Sequence, residues 1–277
     1  MSAGIPRAVG TRFSWVSTVR AELTKTTTLR SWWIGVAVIM ALNIYFAQMS
    51  ASLLAELSAT LENGFYLDFV GQQAPYERGV TDTILSSPYQ SAALFLPLLV
   101  AAASGNEYRT RQILTSVAAV PSRLCLVGAK IVSTVLLSGA VVVAMFVVSD
   151  IILLLLLPDP AVPIVLSGPG ILVGAKVLLY AVLMALFAEA LTAIFRNTLA
   201  ALGCIVLILV LAFSQVLDAI VPGLNNVLPM IGAKTFLFGY PDSPTSLTGG
   251  QGVILLVAWA AVAVIAWAVV FRQRDLT

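Results

Sequence analysis

The feature that most constrains this chain is a set of long apolar runs, of which the most extreme extends from about Gly128 to Leu157. A helix needs about 20 residues to cross some 30 Å of hydrocarbon, and these runs reach that length without the ten-residue alternation of a membrane barrel. Hydrophobic residues make up 60% of the 277, only 10% are charged, and the mean hydropathy is +0.99. A water-soluble domain cannot cover its surface from that composition, so an all-α integral membrane protein is expected. The net charge of +2 gives no reason to expect nucleic acid as a partner.

Hydropathy divides the chain into six expected crossings, at about Ile34–Leu54, Tyr89–Ser104, Gly128–Leu157, Ile171–Phe195, Leu199–Val221 and Gln251–Phe271. Of the fifteen Lys and Arg residues, all but Arg78, Lys176 and Lys234 fall on one side of this arrangement. The positive-inside rule therefore places both termini in the cytoplasm. The first thirty residues lack the apolar core of a signal peptide, which fits an amino terminus that stays inside. Cys125 and Cys204 map to the cytoplasmic half, where free thiols are expected.

Residues 11–31 set Phe13, Val16, Val19 and Leu23 at helical spacing among Arg12, Arg20, Lys25 and Arg30, the pattern of a helix lying in the inner interface. Trp32 and Trp33 mark the membrane boundary behind it. The acidic segment from Ala55 to Pro88 fits the outer side and is long enough to fold short helices on the membrane face. Pro97 predicts a kink in the second crossing.

Between the second and third crossings lies Gly105–Lys130, GNEYRTRQILTSVAAVPSRLCLVGAK, a polar and basic interruption. Asn106 reads as an N-cap and Glu107 as an acid at the positive end of a short helix, with Ile113, Leu114 and Val117 as its apolar stripe. Val120 should end that helix, because the residue before Pro121 avoids helical geometry. Glu107, Tyr108, Arg109, Arg111, Pro121 and Arg123 are thus expected in water, within reach of a partner.

The order of acid, aromatic and Arg, then Pro-Ser-Arg fourteen positions after the acid and Lys130 seven beyond Arg123, resembles the cytoplasmic loop of ABC type-2 permeases, the membrane subunits of bacterial ABC exporters of the bacitracin- and multidrug-resistance kind. The likeness extends to the Phe195-Arg196-Asn197-Thr198 turn and the Phe-Arg-x-Arg-Asp ending. Many relatives carry Gly-Thr where this chain has Arg111-Gln112. The resemblance implies the G-type exporter fold, with an N-terminal interfacial helix, a coupling loop over 105–127 and a re-entrant extracellular segment over 222–250. It also implies a cell-membrane location, a second permease chain, and two copies of a cytosolic ATPase that bind ATP and Mg²⁺. This chain itself needs no cofactor.

The intramembrane charges Asp150, Lys176, Glu189 and Asp218 leave an ion- or proton-coupled carrier open, and a non-transporting scaffold or sensor is a further alternative. Asp150 and Lys176, at similar depth on consecutive antiparallel helices, are expected to pair. Glu189 should face protein or water, with a cation nearby. Asn43, Phe46, Phe95, Phe213 and Gln215 are the candidates for a substrate path, although helix packing accounts for each taken singly. With no His, zinc-protease motifs and His-assisted nucleophilic catalysis are excluded. Gly168 to Lys176 lacks the Gly-Lys-Ser/Thr ending of a phosphate-binding loop, so the chain is expected to be no enzyme.

Overall fold

The computed structural model describes residues 14–59, 61–67, 72–120, 122–157, 162–239 and 247–273. Arg12, Phe13, Pro121 and the last four residues, which figure in the expectations above, lie outside them. The architecture is helical, with one small antiparallel hairpin that pairs Phe65–Leu67 (β1) with Gln73–Pro75 (β2).

Among the described residues, five stretches are long and apolar enough to cross a membrane: Arg30–Ser58, Tyr76–Arg109, Arg123–Leu156, Gly168–Phe195 and Gly249–Gln273. The first is α2. The second consists of α3 (Tyr76–Leu94) and α4 (Leu96–Arg109), which meet at Phe95, with Pro97 in the first turn of α4. A proline there needs no amide donor, so the kink expected at Pro97 becomes a junction just before it. This stretch starts about three turns before Tyr89, because Arg78 and Asp82 dilute its hydropathy without breaking the helix.

The third stretch is α6 (Arg123–Leu156), about 51 Å long by helical rise, and the fourth, α8 (Gly168–Phe195), follows the four-residue α7 (Val162–Val165). The fifth is α12 (Gly249–Gln273). The crossing expected over Leu199–Val221 is shorter and broken. Its helix α9 (Thr198–Ser214) stops at Gln215, which has a left-handed φ of 53°, and α10 (Val216–Ile220) leaves in a new direction.

Alternation of these helices gathers Arg20, Lys25, Arg30, Arg109, Arg111, Arg123, Lys130, Arg196 and Arg272 at one end of the bundle, the basic end. Arg78, Lys176 and Lys234 belong to the other. At that far end a 3-10 turn (Leu224–Val227) leads into α11 (Pro229–Phe238), which packs back against α12. A Cβ on Gly252 would come within 2.5 Å of the Gly232 carbonyl oxygen, so bare backbone is what lets these two helices touch.

The core centres on α8, whose Ala181, Ala185, Ala188, Ala190 and Ala193 are all buried. Small side chains on both sides of one helix allow α4, α6, α9 and α12 to pack around it. Gly105 of α4 serves the same end, since a Cβ there would collide with the Thr198 side chain at 2.1 Å. On the outside, Val38 and Tyr45 of α2, Val143 and Val147 of α6, Val210 and Phe213 of α9, and Val262 and Ile265 of α12 are all exposed. Apolar surface of this extent is stable against lipid or another protein and not against water.

Candidate functional site: a buried charge cluster at the basic end

Helix α1 (Trp15–Thr28) covers most of the stretch expected as an interfacial helix, with Phe13 outside the described residues. Val16 is 70% exposed, whereas the buried face is Thr18, Val19 and Glu22. A carboxylate on the inward face of a helix needs a cation, and the structure supplies two. Lys25 pairs with Glu22 one turn away and donates to Ser116 Oγ at 2.6 Å, while Lys130 Nζ of α6 lies 2.8 Å from Glu22 Oε2. Leu29 then breaks the chain in extended geometry before α2, so α1 lies against α6 and α2 as a separate element.

Lys130 is the hub. It is 5% exposed, sits two turns into α6, and donates to both Glu107 oxygens at 2.7 Å. Lys25 Nζ is 4.0 Å from the same Glu107. On α8, Glu189 is buried and accepts a hydrogen bond from Ser104 Oγ of α4. These groups surround a cavity of about 30 Å³, room for about one water molecule. Glu22, Glu107 and Glu189 thus face Lys25 and Lys130 across the junction of α1, α4, α6 and α8, three carboxyls to two ammonium groups.

Burial pushes the Glu22 carboxyl up, but the Lys130 and Lys25 ammonium groups outweigh it and hold the group below its ordinary value. Ionised Glu22 is therefore part of the folded state.

Glu107 and Asn106 do not begin a helix. They belong to the last turn of α4, where the Asn106 carbonyl accepts from Thr110 N–H and Asn106 Oδ1 accepts from Arg109 Nη2 at 3.0 Å. A carboxylate at the negative end of the α4 dipole is unfavourable by itself, and the contact with Lys130 offsets this. Glu107 is accordingly buried inside the chain, not presented to water. Helix α5 (Gln112–Ala119) starts instead after Arg111, whose φ of 56° lies in the left-handed region that favours glycine. Ile113 and Ser116 form its buried face, and Val120 leaves it extended.

The remaining loop residues divide by exposure. Arg109 and Arg111 are exposed, while Tyr108 borders an open groove of about 600 Å³ with Arg196, Asn197 and Thr198. Arg123 does not stand free for a partner: its Nη1 donates to the carbonyls of Phe271 at 3.1 Å and Arg272 at 3.3 Å, capping the end of α12. Pro121 lies outside the described residues.

At the far end the expected Asp150–Lys176 pair is not formed. The two helices are neighbours, but Lys176 Nζ lies 5.9 Å from the centroid of the Phe236 ring, and Asp150 Oδ1 is buried with no hydrogen-bond partner. Helical phase is the reason, since similar depth does not place two side chains on facing sides. Asp218 accepts from Asn225 N–H at 2.9 Å and ties α10 to the turn that follows.

The expected path residues lie on α2, at the α3–α4 junction and at the end of α9. Asn43 is buried and donates to Met145 O at 3.1 Å and Ser149 Oγ at 2.9 Å, with Ser87 a further 3.0 Å from Ser149, so it links α2 to α6. Phe46 stacks edge-on against Tyr45, Phe95 forms the α3–α4 junction, and Phe213 and Gln215 face outward. Cys125 and Cys204 are free.

Sequence reasoning missed Glu22 and Lys25 as partners of the loop, and Lys130 as a buried residue. A signal for Glu22 existed, because it follows Thr18 by four positions and Val19 by three, the spacing of one helical face. No cluster of His, Cys, Asp or Glu among the described residues could hold a metal ion. No protein-family model matches the chain, and no curated protein sequence matches it.

Proposed function

We propose that the chain is the membrane subunit of an ATP-driven exporter of the ABC type-2 permease kind. It carries an amphipathic or hydrophobic compound out across the bacterial cell membrane, together with a second permease chain, identical or paralogous. ATP and Mg²⁺ are held by two copies of a separate cytosolic ATPase. The observation that carries this reading is the elbow at the basic end. Helix α5 is a short element with exposed Arg109 and Arg111 beside it, and its inner face is joined through Ser116, Lys25 and Lys130 to helices α1, α4 and α6. A partner that grips the exposed side and moves α5 displaces all of these at once.

Charged groups at the rim of an interface tune association, whereas the buried ion pairs behind it resist separation. The test is affinity capture of the full chain from its native membrane. An ATP-hydrolysing subunit is expected in about equal amount, and Arg109→Glu combined with Arg111→Glu should release it while leaving the chain inserted. Unchanged retention of the ATPase by that double variant, or its absence from the wild-type capture, contradicts the proposal.

A coupled carrier is the second reading, favoured by the three-carboxyl cluster at the basic end. Glu189→Gln separates the two. A proton-coupled carrier that uses Glu189 loses transport, whereas an exporter driven by ATP retains it.

A further inference from the structure

At the far end, α6, α7 and α8 border an open groove of about 470 Å³ on the outer face of the bundle, with exposed Val143, Val147 and Ile171 along it, that no part of the reading above uses. Its walls are apolar, with Val142, Phe146, Val165, Leu166 and Leu178 among them, and Gly174 leaves a stretch of bare backbone in its lining. Asp150 is the single ionisable group among the described lining residues. The residue is partly exposed beside this groove, and its buried Oδ1 has no hydrogen-bond partner among the described residues. The nearest expected counter-ion, Lys176, is engaged with Phe236.

An isolated carboxylate in lipid is costly and persists where a water-filled cavity or a cation compensates it. The volume is that of a small-molecule site, and such sites combine apolar walls with a few polar groups that orient the ligand. We propose that this pocket binds a lipophilic organic cation. The apolar body of the ligand rests on Val142, Leu166 and Leu178, and its cationic centre is held by Asp150 beside the Phe146 ring, whose face attracts positive charge. A neutral ligand of the same shape leaves the carboxylate unpaired and is rejected. The site stands independently of any ATPase partner.

The test is equilibrium dialysis of tetraphenylphosphonium against the purified full chain in nanodiscs, with empty nanodiscs as the control for partition into lipid. Saturable binding at one site per chain is expected, and Asp150→Asn should weaken it by about tenfold or more, the effect of losing one interaction with a charged group. Triphenylphosphine oxide, which is neutral, should compete poorly. Gly174→Leu is the second variant. A Cβ at that position meets the Phe146 ring at 3.8 Å, an ordinary contact, so the helix accepts the side chain while the pocket is filled. It should abolish the saturable component, with an unchanged melting temperature establishing that the chain is folded. Binding that does not saturate above the nanodisc control, binding insensitive to both substitutions, or equal competition by the neutral compound overturns the proposal. Loss of self-association in Asp150→Asn, with no change in probe binding, assigns the pocket to a second copy of the chain and overturns it as well.

Discussion

The two ends of the molecule treat buried charge in opposite ways. At the basic end Lys130, 5% exposed, is surrounded by carboxylates from two other helices, and every member of the cluster has a partner. At the far end Asp150 has an unsatisfied oxygen in an apolar pocket, and the lysine expected to meet it lies on an aromatic ring. Lys130 and Asp150 lie on the same helix, α6, near its two ends. What separates them is whether a neighbouring element brings the opposite sign to the same height and the same face. A compensated cluster holds elements together, whereas an uncompensated charge beside a cavity is a place for a ligand.

The contrast is broken most severely at Lys130. Lys130→Met strands Glu22 and Glu107 in the interior and should cost about 3–5 kcal/mol, read as a fall in the midpoint of unfolding in detergent mixtures. Replacing the trio together, with Glu22→Leu, Glu107→Met and Lys130→Met, should recover part of that loss, because the carboxylates paired with Lys130 go with it while Lys25 and Glu189 lose their opposite charges. A triple variant as unstable as the single one would show that the cluster matters by its shape and not by its charge.

Acid is the next lever. Glu22 has a folded-state value below its ordinary 4.5, so the stability it contributes is present above about pH 4.5 and is lost as the pH falls through the lowered value. Hydrogen exchange in α1 should be constant from about pH 8 to 5, after correction for the intrinsic rate, and rise only below about pH 4.5. Loosening of α1 near neutral pH would mean that the Lys130 and Lys25 contacts do not hold it.

Smaller effects sharpen the comparison. Arg111→Gly relieves a left-handed backbone and should raise stability by up to about 1 kcal/mol, measured as a higher melting temperature. A lower one would assign the turn to contacts of the Arg111 side chain. Asp150→Asn removes a charge that no described residue compensates and should not lower stability, with a gain of about 1 kcal/mol or less because a polar group stays in place. A loss comparable to that of Lys130→Met would erase the difference between the two ends.

Much of the architecture was legible from hydropathy and charge. The all-α class, the gathering of cations at one end, the break after α1 and the extended Val120 follow from helix length, interleaved basic residues and proline chemistry. The α9 stop at Gln215 was not legible, since a left-handed residue that is neither Gly nor Asn carries no local signal. The same holds at Arg111. The start of α3 was hidden because its first turns are polar and pack at the far end beside the hairpin. The charge cluster was half legible: Glu107 and Lys130 were singled out, but as exposed residues of a loop. Their pairing depends on α4 continuing to Arg109 and on Glu22 arriving from a helix more than eighty positions away, which no local pattern encodes.

The central claim is that the basic end is one electrostatic unit binding α1 to the bundle. A double-mutant cycle of Glu22→Gln and Lys130→Met, scored by the unfolding midpoint of the full chain in detergent mixtures, tests it most directly. The account predicts a coupling of about 1.5 kcal/mol or more between two residues that touch across α1 and α6. Additivity to within about 0.5 kcal/mol would contradict it, leaving α1 held by apolar packing alone.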